Sequence, residues 1–309
     1  MAATQSKILS YIEKIPALSP TISKIINITG NDKSSAADLV QAIKLDPVLT
    51  ARVLNLINSA YFGMPQKVTS INRAIILLGM NTIKNLALSA EVLSSFNPSR
   101  GFSFSVERFW EHSLACAVGC KLIAKNIIED PIKHEEFFIA GLIHDIGKIF
   151  LIKHFPKDYF SMVKKITDAN LLTVRERKFF TMDHTEIGAI IGEKWALSTE
   201  LISSIRHHHN DKYVDPASLM PHIVYLSNLY CKVHGFDDQI GTYSSAAPVD
   251  GDWLAIGLSP SMEQEALSML SVKVDEARIF LQISRKNPGS EETPPGKAPT
   301  GGPHRDERR

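Results

Sequence analysis

Apolar positions recur along this chain at helical spacing, and nearly every run of them is bracketed by capping and stop residues. Ser19-Pro20 reads as an N-cap followed by the first helical residue; Ile22, Ile25 and Ile26 form the apolar stripe, and Gly30 ends it. Ser35 with Asp38 opens a short helix carrying Leu39, Val40 and Ile43. Asp46-Pro47 repeats the cap-plus-proline signature ahead of Leu49, Val53, Leu56 and Ile57, closed by Gly63-Met64-Pro65. Ser70 caps a helix over 71–78 that Gly79 stops, and Asn81 caps a second over 83–93. No stretch alternates with period two between hairpin turns, so strand content is expected to be very low. The pattern predicts an all-α fold of short helices joined by tight turns.

Asn97-Pro98-Ser99-Arg100-Gly101 is a breaker cluster. Helices resume near Val106 with Trp110, Leu114, Val118 and Leu122, followed by a buried helix around His144 and another at about 159–168. Asp183 and Glu186 make a capping box for a helix over 184–196. Ser198 caps the next, which runs into His207-His208-His209, and 221–233 is a further apolar helix. Residues 235–251, rich in Gly, Ser and Asp, read as a long surface loop before a last helix over 261–283. Beyond Ser284, prolines sit among Gly, Ser and charges, a composition that buries too little apolar surface to offset ordering entropy. The expected organisation is therefore an N-terminal helical subdomain over 1–100, a second helical subdomain over 101–283 and a disordered tail over 284–309.

Composition adds limits. The 309 residues are 44% hydrophobic and 22% charged, with a formal net charge of +1. That is ordinary globular composition, without the electrostatic footprint of a dedicated nucleic-acid binder. No apolar run is read as reaching the roughly 18 residues of a membrane helix, and the first fifteen residues lack the basic-then-apolar pattern expected of a secretory signal. With only three cysteines, Cys116, Cys120 and Cys231, a reducing, cytoplasmic location is expected.

The chemistry concentrates at His144-Asp145-Ile146-Gly147-Lys148, inside the apolar run 137–152. Burying an imidazole and a carboxylate is costly unless they are paired or hold a metal. His112, His184, His208 and His209 are the available partners. Neutral imidazole with carboxylate suits a divalent transition metal, whether iron, manganese, zinc or nickel. Adjacent His144 and Asp145 would diverge by about 100° on a continuous helix, so a kink or helix end is needed for both to reach one ion. Gly147 would admit another backbone or a ligand, and Lys148 would offset the charge of a phosphate group. Each histidine alone also has a structural reading, as core packing, a capped first residue or a polar helix end. No GxSxG elbow, P-loop or GxGxxG motif is present.

The segment LIHDIGKIFL (142–151) resembles the signature of the HD superfamily of metal-dependent phosphohydrolases. Pro16-Ala17-Leu18-Ser19, Ala42-Ile43-Lys44-Leu45-Asp46-Pro47, Asn58-Ser59-Ala60-Tyr61-Phe62-Gly63 and the stretch 71–85 resemble the HDOD domain, and the likeness runs from about 15 to 282. It implies a helical HDOD fold, with an N-terminal helical layer and an HD-phosphohydrolase-like bundle, similar in fold to HD-GYP cyclic-di-GMP phosphodiesterases. It also implies a bacterial signalling module, generally regulatory, with a kinase or cyclic-di-GMP-turnover enzyme as partner. Carried over by motif, the metal ligands would be His112, His144, Asp145, His184, His208 and His209, with Lys148 as a phosphate-facing residue.

Four positions depart from the HD-GYP pattern. Asn228 stands where the enzymes carry a late aspartate, Asn210 where they carry glutamate, and Arg108 where some trinuclear enzymes carry a glutamate ligand. The GYP motif is replaced by Asp211-Lys212-Tyr213-Val214-Asp215. An amide brings no negative charge and is a weaker ligand. The expectation is a non-catalytic regulatory module acting through protein or nucleotide binding. The alternative is a metal-dependent phosphohydrolase, and a third reading is a nucleotide sensor without turnover.

Overall fold

Side-chain caps start the helices where the polar punctuation puts them. Ser19, Ser35 and Asp46 accept from the backbone N–H groups of Ile22, Asp38 and Leu49, and each such cap is worth about 1 kcal/mol. The computed structural model describes residues 2–31, 33–95, 104–131, 133–164, 166, 171–210, 218–238, 240 and 247–285. Among them the chain is all-α, with no strand.

The first layer holds α2 (Pro20–Thr29), α3 (Ala36–Lys44), α4 (Pro47–Ile57) and α5 (Ile71–Ser95), with α1 (Ala2–Lys14) before them. Ile22, Ile25, Leu39, Ile43, Val53 and Leu56 are its buried stripe, each side chain contributing roughly 1.5–3 kcal/mol on burial. Gly79 interrupts α5 at φ 82°, in the left-handed region, so the two helices expected there abut across a kink. By length and apolar composition α5 passes as a membrane span, contrary to the expectation of no such run. It is nevertheless a core helix, packed against α2, α3, α4 and α7 (His134–Ile143).

The second layer is built on α6 (Val106–Ile127), flanked by α7 and α13 (Met220–Val233). Around these lie α8 (Ile146–His154), α9 (Pro156–Val163), α10 (Leu172–Phe180), α11 (His184–Lys194) and α12 (Thr199–His207). The chain ends in α14 (Asp250–Leu254), α15 (Pro260–Leu267), α16 (Leu270–Ala277) and α17 (Ile279–Arg285). α17 crosses back onto α5 and α4. The layers are pinned by Tyr61, whose ring lies 5.6 Å from Phe138 and 5.7 Å from Phe280. Trp195 also donates from Nε1 to the Pro16 carbonyl, at 3.2 Å.

Several elements differ from the sequence reading. The helix expected over 261–283 is three helices, because α16 packs on α6 while α17 packs on α5, and one straight rod cannot face both. α1, α10 and α14 were not expected, and the helix expected at 159–168 is α9, ending at Val163. Residues 284–285 belong to α17, while 286–309 lie outside the described residues, as do the breaker cluster with its boundary at 100 and the segment 211–215.

Candidate metal centre

Two glycines bring the site together. A Cβ on Gly141 of α7 would lie 2.7 Å from the backbone of Ala117 on α6. A Cβ on Gly147 of α8 would lie 1.9 Å from the carbonyl oxygen of His184 on α11. Only glycine allows either approach, so α6, the α7–α8 joint and α11 meet backbone to backbone. At that joint α7 ends at Ile143, and Asp145, at φ −97° and ψ 16°, breaks helical geometry before α8 begins. The break lets the neighbouring His144 and Asp145 face the same centre.

Asp145 is the hub. Its Oδ1 lies 3.2 Å from His208 Nε2 and 3.4 Å from His184 Nε2. Its Oδ2 lies 3.3 Å from His144 Nε2, 3.8 Å from His112 Nε2 and 2.7 Å from the Lys148 ammonium. The same ammonium donates to Asp238 Oδ2 at 3.0 Å. All these side chains are buried, the cluster around Asp145 completely so.

The far side of each ring sets which nitrogen holds the proton. Nδ1 of His112, His144 and His208 faces the carbonyl oxygens of Phe236, Gly141 and Ile205 at 2.7, 2.7 and 2.8 Å. His184 Nδ1 meets Glu176 Oε2 at 2.5 Å, and Tyr159 donates to the other Glu176 oxygen at 3.0 Å. Carbonyl and carboxylate oxygens only accept, so Nδ1 of each ring carries a hydrogen and Nε2 is the atom turned toward Asp145. Carbonyl and carboxylate partners behind imidazoles are the usual support of metal-ligating histidine.

Lone pairs converging on a buried carboxylate repel unless a cation lies among them. Asp145 Oδ1, His144 Nε2 and His209 Nε2 have no hydrogen-bond partner, and buried polar atoms of that kind call for an explanation. Asp145, His184, His208 and His209 form one group with ligand atoms within 4.8 Å of one another. Among the described residues, His112 with Cys116 and His144, and His112 with Asp145 and Asp238, form two more such groups. The residues therefore fit a divalent transition metal. Burial pushes His112 and His208 down to about 3, while neighbouring charges partly oppose it, so both rings are neutral and competent as ligands. Burial alone would raise the Asp145 carboxyl, but His144 and Lys148 beside it hold it well below the usual range.

All six histidine and aspartate positions expected as ligands are brought into one neighbourhood; His207 lies only partly buried outside it. Lys148, expected to face a phosphate, is instead sealed between two carboxylates. Asn228 is buried on α13 with neither amide atom hydrogen-bonded, and Arg108 points to solvent beside Glu111. Glu176 and Asp238 escaped the sequence reading. Glu176 left a signal, since Leu172, Glu176 and Phe180 form the buried stripe of α10, and a carboxylate in such a stripe needs a partner. Asp238 left none, sitting among the polar residues of a loop.

A helical bundle with a His–Asp cluster at the joint between two central helices defines the chain as an HD-like all-α protein. Residues 15–211 match the HDOD domain family, and the chain belongs to that family. A Treponema pallidum (strain Nichols) protein of uncharacterised function is 26% identical over 209 residues, 66% of this chain; the match spans only 39% of that protein's length. Solved structures that share the fold include the following three. An HDOD domain protein of unknown function from Geobacter sulfurreducens has a TM-score of 0.68 at 23% identity, covering 91% of this chain and 96% of its own. A Marinobacter aquaeolei VT8 protein, provisionally named a signal transduction protein, has a TM-score of 0.74 at 20% identity, covering 92% and 66%. A Shewanella amazonensis SB2B protein, provisionally named a phosphohydrolase, has a TM-score of 0.63 at 23% identity, covering 90% and 93%.

Proposed function

We propose that this chain is a cytoplasmic regulatory module of bacterial signal transduction, which holds a divalent transition metal structurally and acts by binding a signalling protein rather than by catalysis. The observation that carries the reading is the enclosure of the cluster: His112, His144, Asp145, His184 and His208 are each 0% exposed. A catalytic metal keeps an open position for water or substrate, whereas a structural one is closed by protein ligands. An ion held by Asp145, His184, His208 and His209 would tie the α7–α8 joint, α11 and the end of α12 together, and metal binding would add directly to folding free energy. The partner fitting the family's setting is a kinase or a cyclic-di-GMP-turnover enzyme.

A second reading, a metal-dependent phosphohydrolase, draws on one feature. A cleft of about 450 Å³, lined by Arg177, Thr185, Arg206 and His207 among others, reaches His209 at the edge of the cluster. The same cleft would serve a nucleotide bound without turnover.

The deciding experiment measures metal content by mass spectrometry on untagged protein purified without chelator or nickel resin, then assays the loaded protein on phosphodiesters and nucleotides. The expected result is a bound transition metal that disappears in His144→Ala and Asp145→Ala, with no hydrolysis. Absence of metal after soaking in iron, manganese or zinc removes the metal centre from the proposal. Turnover by the loaded protein that is lost in Asp145→Ala replaces the regulatory reading with the enzymatic one.

A further inference from the structure

The cluster contains two places where carboxylate oxygens face histidine nitrogens, and they differ in what lies between the donors. On the Oδ1 side of Asp145, the Nε2 atoms of His184 and His208 approach at 3.4 and 3.2 Å, and Oδ1 itself has no hydrogen bond. On the Oδ2 side, His112 and Asp238 complete a second potential ligand group. There the Lys148 ammonium stands 2.7 Å from Asp145 Oδ2 and 3.0 Å from Asp238 Oδ2.

We propose that the Lys148 ammonium is a built-in cation occupying a second metal position defined by His112, Asp145 and Asp238, so that the cluster takes one metal ion fewer than its donors could hold. The inference rests on the metal-centre reading only for the Oδ1 side; the Oδ2 side stands on the lysine geometry itself.

Charge and distance support it. Asp145 and Asp238 are both buried, and two ionised carboxylates in a low-dielectric interior require positive charge beside them. An ammonium that donates to one oxygen of each supplies it. A metal bound by the same oxygens would sit about 2.0–2.2 Å from them, within the volume that Nζ fills. The two cations would repel strongly at such separation, so they exclude each other.

The arrangement is also built rather than incidental. Lys148 lies in the first turn of α8, three residues after Asp145 at the break that precedes the helix, and this short span sets its ammonium against Oδ2. The loop after α13 is tied to the cluster beside it, with the Phe236 carbonyl accepting from His112 Nδ1 and Asp238 Oδ1 accepting from the Ile240 N–H. Asp238 is thereby held against Lys148 although it comes from a different part of the chain. This assigns Lys148 to metal stoichiometry instead of phosphate binding, and Asp238 to holding the lysine instead of holding metal.

The test compares metal stoichiometry in intact protein by native mass spectrometry during titration with manganese, and reads spin coupling between adjacent ions by electron paramagnetic resonance. Lys148→Met is expected to bind one manganese ion per chain more than the unsubstituted protein, with a coupled signal wherever two ions are present. The pair Lys148→Met with Asp238→Asn is expected to lose that extra ion, and Asp238→Asn alone to keep the unsubstituted count. An unchanged count in folded Lys148→Met overturns the inference, as does loss of metal in Asp238→Asn alone. Should Lys148→Met fail to fold, the unsubstituted protein still decides: one ion on the cluster at saturating manganese supports the inference, and coupled ions or none overturn it. In the folded variant the increment over the unsubstituted count judges the lysine, while the unsubstituted count itself judges the metal centre, so the two readings fail separately.

Discussion

The α2–α5 layer and the bundle around α6 bury their helices in opposite ways. Inside the first, the buried side chains are Ile, Leu, Val and Ala, and the buried polar residues before α6, among those described, are Thr82, Asn85 and Ser89, all on α5. Inside the second, the apolar core encloses His112, His144, Asp145, Lys148, Glu176, His184, His208 and Asp238. An apolar layer is indifferent to the identity of its contents as long as volume is conserved. A buried polar cluster is not, because each donor or acceptor must find a partner of the right kind. The first layer is thus mainly apolar packing, and the second holds the buried charged and imidazole groups of the candidate site.

Substitutions at the centre of each layer test that contrast most strongly. Asp145→Ala removes the shared partner of Lys148 and the histidines, and is expected to cost about 3–5 kcal/mol and abolish metal binding; urea melts and metal analysis check both. Leu56→Ala in the fully buried stripe of α4 is expected to cost about 2–5 kcal/mol through the cavity it leaves, while the metal content stays unchanged. If Leu56→Ala also emptied the metal centre, the two layers would be one cooperative unit and the contrast would fail.

Acidity separates the layers as well. Unfolded histidine takes up its proton near 6.5, whereas burial holds His112 and His208 at about 3 in the fold. As pH falls through that window the unfolded chain binds more protons, so metal-free protein is expected to lose stability progressively, with full stability above it. Thermal melts across the window read the slope, and His208→Gln should flatten part of it.

Finer changes follow. Glu176→Gln leaves a hydrogen-bonding group behind His184 but takes away the charge, and is expected to weaken metal affinity about 10–100-fold in calorimetric titration. Ser35→Ala in the exposed capping box of α3 should cost about 1 kcal/mol in a melt and leave metal affinity untouched.

Much of the scaffold was legible because its signals are local. The caps at Ser19, Ser35, Asp46, Asp183 and Ser198 each act within three residues of themselves, and each starts a helix where the sequence places one. Gly79 breaks α5 for the same local reason. The terminal helices were read less well. The residues from Ser261 onward carry one continuous helical pattern, and the breaks near Ser268 and Arg278 come from packing on α6 and α5, which lie far away in sequence.

Residue types alone determined that the His144-Asp145 pair needed partners, since a carboxylate and an imidazole in an apolar run cannot remain buried alone. They also determined which histidines were available to supply those partners. Only the tertiary structure decided that Lys148 faces Asp238 across ninety positions of chain, and that Glu176 stands behind His184. Hydrophobic periodicity and capping act over a few residues and are written along the chain. The pairing of buried charges is settled by which helices can approach one another, and here two glycines at Gly141 and Gly147 set that approach.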